Sequence, residues 1–121
     1  MDKAQAIYSF WSGFELPAYD ENRVPEDAPL PRITYETADD SFGNELALTA
    51  SLWYQSFSWE EITKKATEIS KAITMGGKCI RTDGGAIWIK RGTPFAQRTE
   101  GTSDSMRRIV INISVEFFEQ D

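Results

Sequence analysis

Apolar residues at helical spacing open the chain. They recur at positions i, i+3, i+4 and i+7, namely Ile7, Phe10, Trp11 and Phe14. This spacing predicts an amphipathic helix with one strongly aromatic face. Asp2 is placed to cap the helix, Gln5 follows three residues later, and Gly13 is placed to stop it.

A second helix is predicted by the apolar stripe Trp59, Ile62, Ala66, Ile69 and Ile73. Ser58 and Glu61 have the spacing of a capping box, and Phe57 is placed to form a hydrophobic staple with Ile62. The glycine pair at 76–77 is expected to end the helix, because glycine adopts the left-handed conformation readily. Between the helices, the proline-rich segment 15–32 predicts an extended surface connection.

Alternating apolar and polar residues predict five strands, at 33–37, 45–54, 78–82, 86–91 and 108–118. Even-numbered residues of 45–54 are expected to face the core. A turn at 83–85, which contains two glycines, is expected to join the third and fourth strands as a hairpin.

These elements follow one another as α-β-β-α-β-β-β within one predicted domain, residues 1–121. We therefore predict an α+β fold with a mainly antiparallel sheet of about four to five strands and two helices on one face. The other face carries Trp53 and Trp88 among polar residues. That mixture predicts either a protein interface or tryptophans covered by the 15–32 segment or by a loop at 92–107.

The segment 92–107 is predicted to be a long loop between two strands, with a disordered tip. Loops of this length in compact domains usually have a function. Phe95, Gln97, Arg98 and Arg107 lie in it and, with the two tryptophans, form our candidate interface to a neighbouring subunit. The alternative is a solvated insertion without a role.

The charge distribution argues against a tightly held nucleic acid. The net charge is −6, and residues 1–45 contain ten acidic and three basic residues, whereas residues 46–121 contain nine and ten. A DNA-binding protein usually has a basic stripe instead. The acidic front and locally basic back suit a head-to-tail contact between identical subunits, although solvation alone would also explain them. With no apolar stretch long enough to span a bilayer and no signal peptide pattern, we expect a soluble protein that folds in a cytoplasm, without a membrane partner.

Few residues are suited to catalysis. The chain has no histidine, and its single cysteine, Cys79, lies in an apolar-rich strand, which predicts a buried and inert thiol. Asp39 and Asp40, with Glu36 and Glu45 nearby, lack the spacing of a calcium loop. We predict a protein that is not an enzyme and has no cofactor and no metal site.

Five segments carry a resemblance to a known class of proteins: 4–11 (AQAIYSFW), 31–35 (PRITY), 50–54 (ASLWY), 84–90 (GGAIWIK) and 92–98 (GTPFAQR). They resemble small minor tail proteins of phages and prophages of Gram-positive bacteria, and the likeness spans nearly the whole chain. The order of elements resembles that of the tail-terminator, or tail-completion, family. The family has no motif that would transfer functional residues individually.

The resemblance implies a virion protein at the head-proximal end of the tail, assembled in the host cytoplasm. Members of this family form hexameric rings that cap the tail tube and join it to the head. The implied partners are further copies of the chain, the tail tube protein and a head-completion protein, with DNA only as passing cargo. Six copies would carry a charge of about −36, which would repel DNA from an acidic pore. The alternatives are another head–tail connector and, more distantly, an acidic DNA mimic or a small enzyme.

Overall fold

The computed structural model describes residues 1–38, 45–100 and 103–119. It has an α+β fold with two α-helices, α1 (Lys3–Ser12) and α2 (Glu60–Ile73). The strands are β1 (Ala18–Asp20), β2 (Arg32–Tyr35), β3 (Leu46–Gln55), β4 (Lys78–Thr82), β5 (Gly85–Glu100) and β6 (Met106–Glu119). They form one sheet in the order β1-β2-β3-β6-β5-β4. The sheet is mixed, because β1 runs parallel to β2 while the other neighbours are antiparallel.

The predicted capping of α1 is confirmed. The Asp2 carboxylate accepts a hydrogen bond from the backbone N–H of Gln5 (2.8 Å), and the Gln5 side chain accepts one from the N–H of Asp2 (2.9 Å). The helix ends at Gly13 and buries the predicted aromatic face. Its rings pack edge to face, with 4.8 Å between the centroids of Phe10 and Trp11.

The capping box and staple predicted for α2 are wrong. The helix begins at Glu60, Trp59 occupies the cap position without a side-chain bond, and the Ser58 hydroxyl accepts only from the N–H of Glu60. Phe57 is 78 % exposed and forms no staple. Tertiary contacts explain the difference, because Ser56 donates to the carbonyl of Ser105 and thereby ties this connection to the end of the β5–β6 hairpin.

The two helix starts therefore differ in stability. We expect Asp2→Ala to lower the free energy of unfolding by about 1 kcal/mol, because the reciprocal box is lost. Ser58→Ala is the matched control and should cost less than about 0.5 kcal/mol. Urea denaturation of both variants measures the difference, and equal losses would contradict it.

The end of α2 and strand β1 also depart from the expectations, and with β1 the described sheet has six strands rather than the four to five predicted. Helix α2 ends at Ile73, three residues before the glycine pair, and Thr74 takes a positive φ of 59°. Strand β1 lies inside the proline-rich segment that we expected to be unpaired. Its pairing is extended by hydrogen bonds from Ile33 to the carbonyl of Pro17 and from Glu21 to the carbonyl of Tyr35. Three residues show no periodicity, and only the parallel partner makes them a strand.

The largest correction concerns the segment predicted as a long loop. Strand β5 continues to Glu100 and pairs with β6 on both sides of an irregularity between Arg91 and Ala96. The two strands thus form a long hairpin, and the loop at 92–107 does not exist as predicted. Residues 101–102, at its tip, lie outside the described residues, so the predicted disorder there stays untested.

The core lies between the sheet and the two helices, which pack on the same face. Leu48, Ala50 and Leu52 of β3 are buried, as predicted for the even-numbered positions. Five side chains of β6 join them, Ile109, Ile111, Ile113, Val115 and Phe117. The β4–β5 hairpin is also confirmed, with a turn at Asp83 and Gly84 and a positive φ of 81° at Gly84.

Candidate functional site

A tryptophan flanked by two arginines marks the end of the β5–β6 hairpin. Trp59, just before α2, is half-buried. The guanidinium carbon of Arg98, on β5, lies 4.8 Å from the centroid of its ring, and that of Arg107, on β6, lies 5.3 Å away. Both distances are within the range of cation–π attraction. The register places both arginines on the core-side face of the sheet, beyond the last core residues.

Arg107 is held by backbone carbonyls rather than by a carboxylate. Its terminal nitrogens donate to the carbonyl of Phe57 (2.9 Å) and to that of Asp104 (2.8 Å), while its Nε is buried and has no hydrogen-bond partner. Within the described part of the chain, every ion pair uses a lysine or the amino group of Met1. Neither Arg98 nor Arg107 therefore forms an ion pair with a described residue, and Glu100, the cross-strand neighbour of Arg107, lies nearby without contacting it as an ion pair.

An open cleft of about 920 Å³ surrounds this cluster. We call it the arginine–tryptophan cleft. Its lining residues are Phe57, Trp59, Arg98, Thr99, Glu100, Ser103, Asp104, Met106 and Arg107. Aromatic residues, methionine and arginine are the types enriched in protein interfaces. The cleft thus has the composition of a protein-binding surface.

A smaller groove adjoins the cleft between α2 and the outer half of β5. It has a volume of about 320 Å³, and Phe95, Arg98 and Ile109 are among its lining residues. Phe95 is half-buried and packs against the edge of the core. Strand β4 pairs only as far as Ile89, so among the described strands none covers the outer edge of β5 from Ala96 to Glu100.

Trp53 lies on the face of the sheet opposite to the helices, which we call the outer face. Its indole N–H donates to the Thr34 hydroxyl (2.9 Å), and the guanidinium of Arg108 lies 4.6 Å from its ring centroid. Arg108 also donates to the Ser51 hydroxyl (3.1 Å). These contacts come from neighbouring strands, and Trp53 remains half-exposed.

Trp88 lies further along the outer face, next to a charged network. Its indole N–H donates to the carbonyl of Gly76 (2.9 Å), and Lys90 lies 4.5 Å from its ring centroid. Lys90 in turn contacts Glu45 (2.7 Å) and Glu116 (3.5 Å). The hydrogen bond from Lys90 lowers the pKa of Glu45 below its usual value, and the same bond raises the pKa of Lys90.

The six predicted interface residues therefore do not form one site. Arg98 and Arg107 meet in the cleft, and Phe95 lines the adjoining groove. Trp53 and Trp88 lie on the outer face, as does Gln97, whose side-chain oxygen accepts from Asn112 (3.3 Å).

Sequence reasoning did not assign Trp59 and Phe57 to this site, because both were interpreted as packing residues of α2. The sequence does show two aromatic residues just before a helix whose first turn is acidic. This pattern does not distinguish aromatic residues that pack on the helix from aromatic residues that line an exposed cleft.

An acidic, proline-containing segment, residues 20–31, follows β1 at the opposite edge of the sheet. Glu21, Glu26 and Asp27 are exposed, and none of them forms an ion pair with another described residue. The segment is held by its backbone, since the Ala28 carbonyl accepts from Arg32 (3.1 Å). Its side-chain charges are thus available to a partner.

The residues weighed for other chemistry are dispersed. Cys79 is exposed on β4, contrary to the predicted burial, because only one face of this edge strand is covered. Asp39 and Asp40 lie outside the described residues. Glu36 accepts from Thr49 and Glu45 pairs with Lys90, and no cluster of three metal-ligating side chains occurs in residues 1–38, 45–100 and 103–119. Neither α1 nor α2 is long and apolar enough to cross a membrane.

The sequence matches no protein-family model and no curated protein. Among solved structures, the fold is similar to that of a chain in the virion of a native gene transfer agent particle, with a TM-score of 0.60 and 17 % sequence identity. The likeness covers 96 % of this chain and 94 % of that chain. The two chains therefore share a fold over nearly their whole lengths.

Proposed function

We propose that this chain is a structural protein of a phage-like virion, and specifically a tail terminator that forms a ring on the tail tube and joins it to the head. The observation that carries the proposal is the shared fold with a virion chain, which extends over nearly all of both chains. The resemblance of the five sequence segments to minor tail proteins supports it independently. The proposed role is structural and non-catalytic.

The shape of the sheet supports assembly into a closed ring. Its two edges are different: one ends in β1 and the acidic segment, and the other in β4 and the outer half of β5. A contact between two different edges is heterologous, and such contacts generate rings when the rotation closes. We propose a homohexamer, with the tail tube protein below and a head-completion protein above.

The acidic surplus suits a pore through which DNA passes. If the acidic residues line the lumen, about −36 charges in six copies would keep DNA from adhering. A basic lumen with the acidic residues on the outer rim would contradict this part of the proposal.

A head-closure protein or another connector of the neck is the second candidate. The fold likeness supports it equally, because that likeness is to a chain of a virion particle as a whole. Both candidates are ring components without catalysis, and they differ in the partner that each one caps.

Tube capping separates the two candidates. We expect the purified protein, mixed with the tail tube protein encoded nearby, to form rings at one end of each tube and to arrest its length. Electron microscopy of the mixture and light scattering after size exclusion measure this. Binding to head proteins while tubes continue to elongate would favour the connector, and indifference to both would overturn the proposal.

A further inference from the structure

The arginine–tryptophan cleft and the acidic segment have complementary chemistry. The cleft offers two guanidiniums without a carboxylate partner, the half-buried ring of Trp59 and the exposed ring of Phe57. Arginine binds carboxylates with charge-assisted hydrogen bonds, and it keeps its charge at any working pH. A matching ligand is therefore an acidic chain that also carries apolar groups.

The segment 20–31 has these properties. Pro25 lies between its exposed acidic residues and Pro29 follows them, and both prolines are exposed. The segment contains two turns, in which the N–H of Arg23 donates to the carbonyl of Asp20 (2.9 Å) and the N–H of Ala28 donates to that of Pro25 (3.1 Å). These hydrogen bonds order its backbone before binding, which lowers the entropic cost of docking. We expect its carboxylates to approach the two guanidiniums and its apolar groups to pack on the exposed ring of Phe57.

The two surfaces do not meet within one copy of the chain. The segment follows β1 at one edge of the sheet, whereas the cleft lies at the end of β5 and β6, and β2 and β3 lie between them. Among the described residues, no hydrogen bond or ion pair joins residues 20–31 to the lining residues of the cleft. Within one copy, the segment therefore does not occupy the cleft.

We propose that the arginine–tryptophan cleft binds residues 20–31 of a second copy of this chain. This inference rests on the proposed ring and names its subunit contact. The contact is head-to-tail, since it joins two different surfaces of the chain.

Two variants of the full chain isolate one such contact. The first carries Arg98→Glu and Arg107→Glu, which reverse the cleft and leave the segment intact. The second carries Glu21→Gln, Glu26→Gln and Asp27→Asn, which neutralise the segment and leave the cleft intact. Each variant alone should self-associate about tenfold more weakly than the original chain, and the mixture should form a one-to-one complex that cannot extend further.

The readout is the indole N–H signal of Trp59 in the second variant, labelled with ¹⁵N and assigned by Trp59→Phe. We expect unlabelled first variant to shift this signal in a saturable manner. The matched control is a first variant that also carries the three neutral substitutions, and it should leave the signal in place. An equal shift with the control, or no shift at millimolar concentration, overturns the inference.

Two further measurements keep the interpretation clear. Arg98→Glu alone preserves the hydrogen bonds of Arg107. This single variant therefore replaces the first variant if the double substitution prevents folding. A single-stranded oligonucleotide that shifts the Trp59 signal, when the first variant does not, would overturn the inference in favour of nucleic acid.

Experiments with tail tubes distinguish a failure of the proposed subunit contact from a failure of the proposed function. If the cleft-reversed variant still forms rings and arrests tube length, the tail role stands and the contact is wrong. If the Trp59 signal moves but the original chain ignores tubes, the contact stands and the tail role is wrong.

Discussion

Replacing Phe117 by alanine is expected to lower the free energy of unfolding by about 3–5 kcal/mol, the largest effect predicted for this chain. Phe117 is 1 % exposed and lies in the core on β6, opposite Ile87 and next to Lys3 of α1. Removing the ring leaves a cavity that packed neighbours fill only in part. Domains of this size are stable by about 5–15 kcal/mol, so the variant should lose much of its stability.

Phe118 provides a matched control on the same strand. It is 41 % exposed on the outer face, and its ring packs in a tilted arrangement against that of Trp88, with 6.2 Å between the centroids. Phe118→Ala should cost about 1 kcal/mol or less. Guanidinium unfolding followed by circular dichroism compares the two variants, and similar losses would mean that β6 does not have the alternation described above.

Gly77→Ala has the second largest expected effect, about 2–4 kcal/mol of destabilisation. Gly77 has a φ of +88°, which costs any residue with a Cβ. A Cβ at this position would also meet the indole of Trp88 and lie 2.8 Å from the carbonyl oxygen of Ile89. The hydrogen bond from Trp88 to Gly76 would be displaced.

Gly76→Ala is the control for this substitution, because nothing lies within 4 Å of a Cβ at that neighbouring position. We expect it to change stability by less than about 0.5 kcal/mol. Thermal unfolding measures both variants, and a change in tryptophan fluorescence should accompany Gly77→Ala alone. An unperturbed Gly77→Ala variant would contradict the close approach of the turn to Trp88.

Two residues of the candidate site were selected on the basis of an incorrect structural prediction. Arg98 and Arg107 were selected because they lie in a supposed loop, yet they belong to paired strands of a long hairpin. The polar sequence of 96–100 lacks alternation because none of the described strands lies on the outer edge of this half of β5 and little core lies beneath it. Nothing in the local pattern indicated that Trp59 would lie between the two arginines.

The start of α2 shows that a local sequence pattern can also mispredict part of the fold. Ser58, Glu61 and Phe57 have favourable spacing for a capping box and a staple, and local energetics alone would form both. In the structure, the Phe57 carbonyl accepts from Arg107, fifty residues later in the chain, and the Phe57 ring turns outward. A contact distant in sequence prevailed over preferences worth about 1 kcal/mol.

The sequence by itself determined the elements whose signal is local and repeated: the capped aromatic helix α1, the apolar stripe of α2, the tight hairpin at Gly84 and the alternation of β3 and β6. Burial of one face imposes these periods on the residues themselves. Only the tertiary structure decided the pairing of β1 with β2, the continuation of β5 to Glu100 and the assembly of the arginine–tryptophan cleft. These features depend on hydrogen bonds and ring contacts between residues far apart in the chain, and no local pattern encodes such partners.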